Sequence, residues 1–128
     1  MEGMHRQGME NINLAELAIL HGSRATHTAH ENSDWDIAVL GEHKLSWDDI
    51  AGLREQFAKK LGVQEQKIDI ADLRSDSPLL HYRVATQGVL LEGDPRDFRK
   101  FQIRAWKDYL NNQKMFDLRS RFLEKSLG

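Results

Sequence analysis

At 128 residues the chain has the length of one ordinary domain, long enough for a single buried core and too short for a separate substrate-binding domain. Its 40% hydrophobic and 30% charged residues, with only two prolines, exclude disordered and fibrous classes, and no apolar run approaches the roughly 20 residues that a membrane-spanning helix needs. Cysteine is absent, which excludes disulfides, and the opening MEGMHRQGMENIN lacks the apolar core of a secretory signal, so the expected location is the cytoplasm.

The net charge of −2 is unevenly spread: residues 1–94 carry 9 Lys/Arg against 16 Asp/Glu, residues 95–128 carry 9 against 4. A basic tail fits a solvated helix face, since its charges are interleaved with Asp97, Asp108, Asp117 and Glu124; a surface for nucleic acid or an acidic partner is the alternative.

No repeat, low-complexity tract or linker divides the chain, and one domain is expected over residues 1–128. Leu17 to His21 is an apolar run that stops at Gly22, as a buried strand does at a tight turn, and His21 reads as a satisfied core histidine. A short helical segment is expected from Arg24 to about His30. In Asp34 to Leu40, DWDIAVL, strand alternation puts Trp35, Ile37 and Val39 on one face and Asp34 and Asp36 on the other. Ser46 begins SWDD, an N-cap followed by acids in the first turn, and Ile50, Leu53, Phe57 and Leu61 recur at helical spacing until Gly62.

Residues 67–73, KIDIADL, predict a third strand. Ser77 and Pro78 open a second helix that ends near Gly88, and Val89 to Glu92 form a short strand. Pro95 starts a final helical region with Phe98, Phe101, Ala105 and Tyr109 on one stripe and a break expected at Asn111 and Asn112. The alternation of strands and helices predicts an α/β or α+β class with a small, mostly covered sheet.

The chemistry concentrates in residues 21–40, HGSRATHTAHENSDWDIAVL, where a strand ends in Gly22-Ser23, ten residues pass, and Asp34-Trp35-Asp36 opens the next strand. Two carboxylates on one strand face converge on a point. Their hard oxygens suit Mg²⁺, which keeps open positions for water and substrate phosphate. Gly22 then lets the backbone come close to phosphates, and the Ser23 hydroxyl with nearby amides donates to them. Each piece alone is commonplace: Gly-Ser is a frequent turn, and a surface Asp-x-Asp is often only solvated. A third carboxylate strengthens the case. In KIDIADL, Asp69 and Ala71 share the face opposite Ile68, Ile70 and Asp72, which selects Asp69 over Asp72 as the companion of Asp34 and Asp36. Three such groups repel one another without a cation, so their convergence argues for bound metal.

The Gly-Ser, ten-residue, Asp-x-Asp signature followed by a strand reading Ile-Asp-Ile resembles the DNA polymerase β-type nucleotidyltransferase superfamily. The short length and the segment HYRVATQGVLLEGDP, residues 81–95, resemble its minimal nucleotidyltransferases, in particular the MntA antitoxins encoded beside HEPN-domain toxins. The likeness covers about residues 17–95 and is most specific over 21–40. It implies a polymerase β-like fold, a small mixed sheet flanked by helices, with a catalytic core over about residues 14–94 and a C-terminal helical region over 95–128. It further implies ATP phosphates at Gly22 and Ser23, metal binding by Asp34, Asp36 and Asp69, and AMP transfer to a tyrosine hydroxyl of a HEPN RNase toxin, which silences it.

Relatives often carry glycine at the position of His27, within a G-S-x-A-x-G stretch; if that position needs positive φ, histidine costs energy there. His27 and His30 read as loop histidines, with phosphate or acceptor contact the alternative. By position Arg24 is a further phosphate candidate. The implied reaction is in-line attack of the acceptor hydroxyl on the α-phosphorus of ATP with two Mg²⁺ ions, Asp69 standing nearest the nucleophile as a possible proton acceptor. Two rivals remain: an antitoxin that neutralises by binding alone, and an enzyme that adenylylates a small molecule such as an antibiotic. No membrane association is expected, and the acidic residues 1–94 offer no evident surface for binding nucleic acid directly.

Overall fold

The computed structural model describes residues 14–75 and 77–127, with the side chains of the last helix described through residue 114 and at residue 121. Four strands, β1 (Leu17–His21), β2 (Trp35–Leu40), β3 (Ile68–Asp72) and β4 (Val89–Glu92), form one sheet in the order β3-β2-β1-β4. β1 runs antiparallel to both β2 and β4, and β2 runs parallel to β3. A parallel pair needs a long crossover, and α1 (Trp47–Leu61) supplies it. After β3 come α2 (Pro78–Gln87), β4 and α3 (Pro95–Leu127). None of these helices is long and apolar enough to cross a membrane.

The sheet is apolar on both faces because helices cover both. On one side Ala18, Leu20, Ile37, Val39, Ile68 and Ile70 pack against Leu53, Phe57 and Ala58 of α1. On the other, Leu17, Ile19 and Ala38 pack against Val84 and Ala85 of α2 and Phe101 and Ala105 of α3. α3 is clipped to α2 by stacked Tyr82 and Tyr109 rings, 4.0 Å between centroids, and by Gln102 Nε2 donating to the Ala85 carbonyl at 2.9 Å.

Local chemistry sets the helix ends. Ser46 and Asp49 form a capping box: Asp49 N donates to Ser46 Oγ at 3.1 Å and Ser46 N donates to Asp49 Oδ2 at 2.9 Å. The helix stops at Gly62, which takes the left-handed conformation (φ 68°) that closes the last turn. Ser77 caps α2 ahead of Pro78. Asp72 turns toward the α1 side, where its carboxylate accepts from Leu45 N and Arg74 N, each at 2.9 Å, and so ties the approach to α1 onto the end of β3.

Two expectations change. Arg24 to His30 is not a helix: a single 3-10 turn spans Gly22–Arg24, and the chain then leaves it, because His27 sits at φ 60°, which no right-handed helix accepts. The break at Asn111 and Asn112 is absent; α3 continues to Leu127, with Asn112 Nδ2 donating to the Asp108 carbonyl at 2.8 Å one turn earlier.

Removing the cap and removing core volume should differ in scale. Ser46→Ala should lower the unfolding free energy by about 1 kcal/mol, and Phe57→Ala, which deletes a ring only 2% exposed, by about 3–5 kcal/mol. Urea unfolding of the two variants beside the parent measures both.

Candidate active site

The site forms at the end of the sheet where β1 finishes and β2 begins. Antiparallel register sets His21 opposite Asp36, and parallel register sets Asp36 opposite Asp69. Residues opposite one another share a face, so the three side chains stand in a row across three adjacent strands, on the face that carries Leu17, Ile19 and Ala38. Asp34, two residues before Asp36, precedes the strand and is exposed, as is Asp69; Asp36 between them is half-buried. A one-residue slip of β3 would have sent Asp69 to the α1 side.

Gly22 closes this row from above. It takes φ 71°, and an added Cβ would lie 2.3 Å from Asp36 Oδ2, so the turn backbone rests on the carboxylate itself. Only glycine permits both the left-handed turn and that approach. Ser23 follows, half-buried, while Ala25 N and Thr26 N donate back to the Gly22 carbonyl at 3.1 and 3.2 Å.

The electrostatics follow from this crowding. Burial pushes the Asp36 carboxyl above its ordinary value; His21 opposes the shift, while Asp69 and Asp34 add to it by repulsion and the Asp69 carboxyl is within hydrogen-bonding reach. Burial likewise lowers the His21 imidazole against the pull of Asp36 and Asp69. Its Nε2 is shielded from solvent and has no hydrogen-bond partner among the described residues, a condition that costs about 1–3 kcal/mol in general. Among the described residues no three His, Asp or Glu side chains are already drawn into a ready-made cage for an ion. The donor set nevertheless fits a hard divalent cation: all its atoms are carboxylate oxygens, and the mutual repulsion of Asp36 and Asp69, opposite one another on adjacent strands, is what added positive charge relieves.

The structure thus brings Asp34, Asp36 and Asp69 to one sheet end beside Gly22 and Ser23, and keeps Asp72 away from them. Arg24 points elsewhere. Its Nη2 donates to the Ser33 carbonyl at 2.9 Å and to the His30 carbonyl at 3.4 Å, and the guanidinium lies 4.3 Å from the Trp35 ring centroid. In this arrangement Arg24 fastens the loop between β1 and β2. His27 occupies the left-handed region, where a residue other than glycine costs about 1–2 kcal/mol. His21 is the residue that sequence reasoning misplaced. It is not a satisfied core histidine, and the signal was available: Leu17, Ile19 and His21 alternate onto one face, and the last of them ends the strand beside the acids.

The polymerase beta nucleotidyltransferase family model matches residues 8–96. The chain belongs to this family. Two curated members are similar to it: the protein adenylyltransferase MntA of Shewanella oneidensis is 39% identical over 105 residues, 81% of this chain and 73% of that protein. The protein adenylyltransferase MntA of Aphanizomenon flos-aquae is 35% identical over 108 residues, 76% of this chain and 70% of that protein. Among solved structures, a toxin-antitoxin crystal structure with AMP-PNP superposes with a TM-score of 0.68 at 30% identity, covering 99% of this chain and 98% of the other. The MNT antitoxin complex with the tri-AMPylated HEPN toxin of Shewanella oneidensis gives a TM-score of 0.61 at 26% identity, with both chains fully covered at 100%. The mixed sheet with helices on both faces is therefore the nucleotidyltransferase fold of this family.

The raised Asp36 carboxyl has a consequence for stability. Because the folded protein holds that proton more tightly than the unfolded chain, Asp36 favours folding below the ordinary aspartate range, and the contribution is lost as pH rises through the raised folded value. At neutral pH without divalent ions, ionised Asp36 works against the fold. Asp36→Asn should therefore raise the melting temperature at neutral pH in EDTA, and the gain should shrink as pH falls toward about 4, where aspartate takes up its proton. Thermal melts at the two pH values measure the difference.

Proposed function

We propose that this chain is a protein adenylyltransferase antitoxin that transfers AMP from ATP to a tyrosine hydroxyl of a cognate HEPN RNase toxin in the cytoplasm, and thereby neutralises it. The observation that carries the reading is the register of Asp36 against Asp69, with Gly22 packed on Asp36: an acid cluster and a left-handed glycine turn share one sheet end. Support for the acceptor comes from the relatives, two of which are protein adenylyltransferases and one of which is seen with its HEPN toxin tri-AMPylated.

In this reading Asp34, Asp36 and Asp69 hold two Mg²⁺ ions. Mg²⁺, when bound, neutralises triphosphate charge and lowers the pKa of a hydroxyl beside it. Gly22 lets the backbone approach the phosphates, and the Ser23 hydroxyl donates to them. The acceptor oxygen attacks the α-phosphorus, the bond to the β-phosphate oxygen breaks, and pyrophosphate leaves. Asp69, exposed at the edge of the row, takes the hydroxyl proton. Arg24 contributes by holding the loop from Gly22 to Asp34 in shape through the Ser33 carbonyl and Trp35. Phosphoryl-type transfer asks a protein mainly for positioning and charge, which so small a domain can supply.

With α-labelled ATP, Mg²⁺ and the HEPN protein of its own module, the parent chain should label the toxin, and Asp36→Ala should reduce that labelling by at least about a hundredfold. Circular dichroism establishes that the variant is folded. Full protection of cells by folded, expressed Asp36→Ala would defeat the enzymatic reading in favour of neutralisation by binding; labelling of a free small molecule instead of the toxin would defeat the choice of acceptor.

A further inference from the structure

His21 belongs to the sheet end already described, yet nothing in the proposed chemistry uses it. Its position is constrained on every side. The preceding residues on its face, Leu17 and Ile19, are sealed into the core, the ring itself is half-buried, and its Nε2 is cut off from solvent without a partner among the described residues. An aliphatic side chain would fill that space without leaving a buried polar atom unpaired, so packing alone does not explain an imidazole there.

The neighbours of Asp36 supply an explanation. One side of its carboxyl is closed by the Gly22 backbone, another by Asp69 on the parallel strand, and the third neighbour, across the antiparallel ladder, is His21. His21 Nε2 lies buried beside this carboxyl, with no hydrogen-bond partner among the described residues. Carboxylates that bind metals are themselves held by hydrogen bonds from surrounding groups, which fix their orientation.

We propose that His21 is a positioning residue for the metal site: in its Nε2–H tautomer it donates to the Asp36 carboxylate when a divalent cation is bound, and holds that carboxylate in its ligating orientation. The inference rests on the metal-dependent nucleotide chemistry put forward above and goes beyond it by assigning a role to a side chain outside the acid triad.

Two substitutions separate positioning from packing. The amide of His21→Gln places a donor near the position of Nε2, whereas His21→Leu fills the space without one. Mg²⁺ is titrated by calorimetry into each protein with a fixed concentration of a non-hydrolysable ATP analogue, and melting temperatures are measured in EDTA. His21→Leu should weaken Mg²⁺ affinity by about 10–100-fold, His21→Gln should retain most of it, and the EDTA melting temperature of His21→Leu should equal or exceed the parent's. Parent-like affinity in His21→Leu, or equal loss in both variants, would overturn the inference. Absence of Mg²⁺-dependent analogue binding in the parent itself would instead overturn the proposed function, and this inference with it.

Discussion

The constraint on which the rest depends is electrostatic: three carboxylates are brought together at the end of a sheet, and two of them, Asp36 and Asp69, stand directly opposite one another on parallel strands. Burial first, then repulsion from Asp69 and Asp34, pushes the Asp36 carboxyl above its ordinary value. A fold tolerates such a cluster only if other contacts overdetermine it. Here the overdetermination comes from immediately behind the acids, where Ile37, Ala38 and Val39 of β2 are fully buried between two helical layers.

The parallel pairing of β2 with β3 is what makes the row of acids, and α1 is what makes the parallel pairing. Its capping box, its left-handed Gly62 stop and its buried Leu53 and Phe57 set the length and seat of the crossover. Asp72 shows how closely the two roles of an acid are separated on one short strand. Three residues after Asp69, it points to the other face and is consumed by the amides of Leu45 and Arg74, locking the crossover to the strand end. One aspartate of β3 is structural and the other is open to a ligand, and strand alternation alone assigns them.

The loop between β1 and β2 carries the remaining strain. Gly22 adopts a left-handed turn because Asp36 lies against it, and His27 adopts the same region without glycine's freedom. Arg24 gathers the far side of the loop through the Ser33 and His30 carbonyls and the Trp35 ring. The loop is thus shaped at both ends by its flanking strands, which ties the Gly22 turn to the carboxylates of Asp34 and Asp36. That arrangement suits the proposed reaction, whose demand on the protein is the placement of charge.

By itself the sequence determined the local elements and the face each side chain takes. Alternation in DWDIAVL and KIDIADL separates acids from core residues, and Ser46, Gly62 and Ser77-Pro78 mark helix ends, because these are properties of a few consecutive residues. Asp34, Asp36, Asp69, Gly22 and Ser23 were legible as a candidate site for the same reason, through their spacing and their faces. Only the tertiary structure decided the rest. Whether β3 lies beside β2, and in which register, depends on a crossover of some thirty residues; the role of Arg24 depends on a loop whose φ at His27 no propensity prescribes. The continuity of α3 through Asn111 and Asn112, likewise, outweighs a local preference for breaking. His21 is the sharpest case: a histidine that ends an apolar strand looks like core until the neighbouring strand puts a carboxylate beside it, and a side chain's chemistry belongs to what it faces.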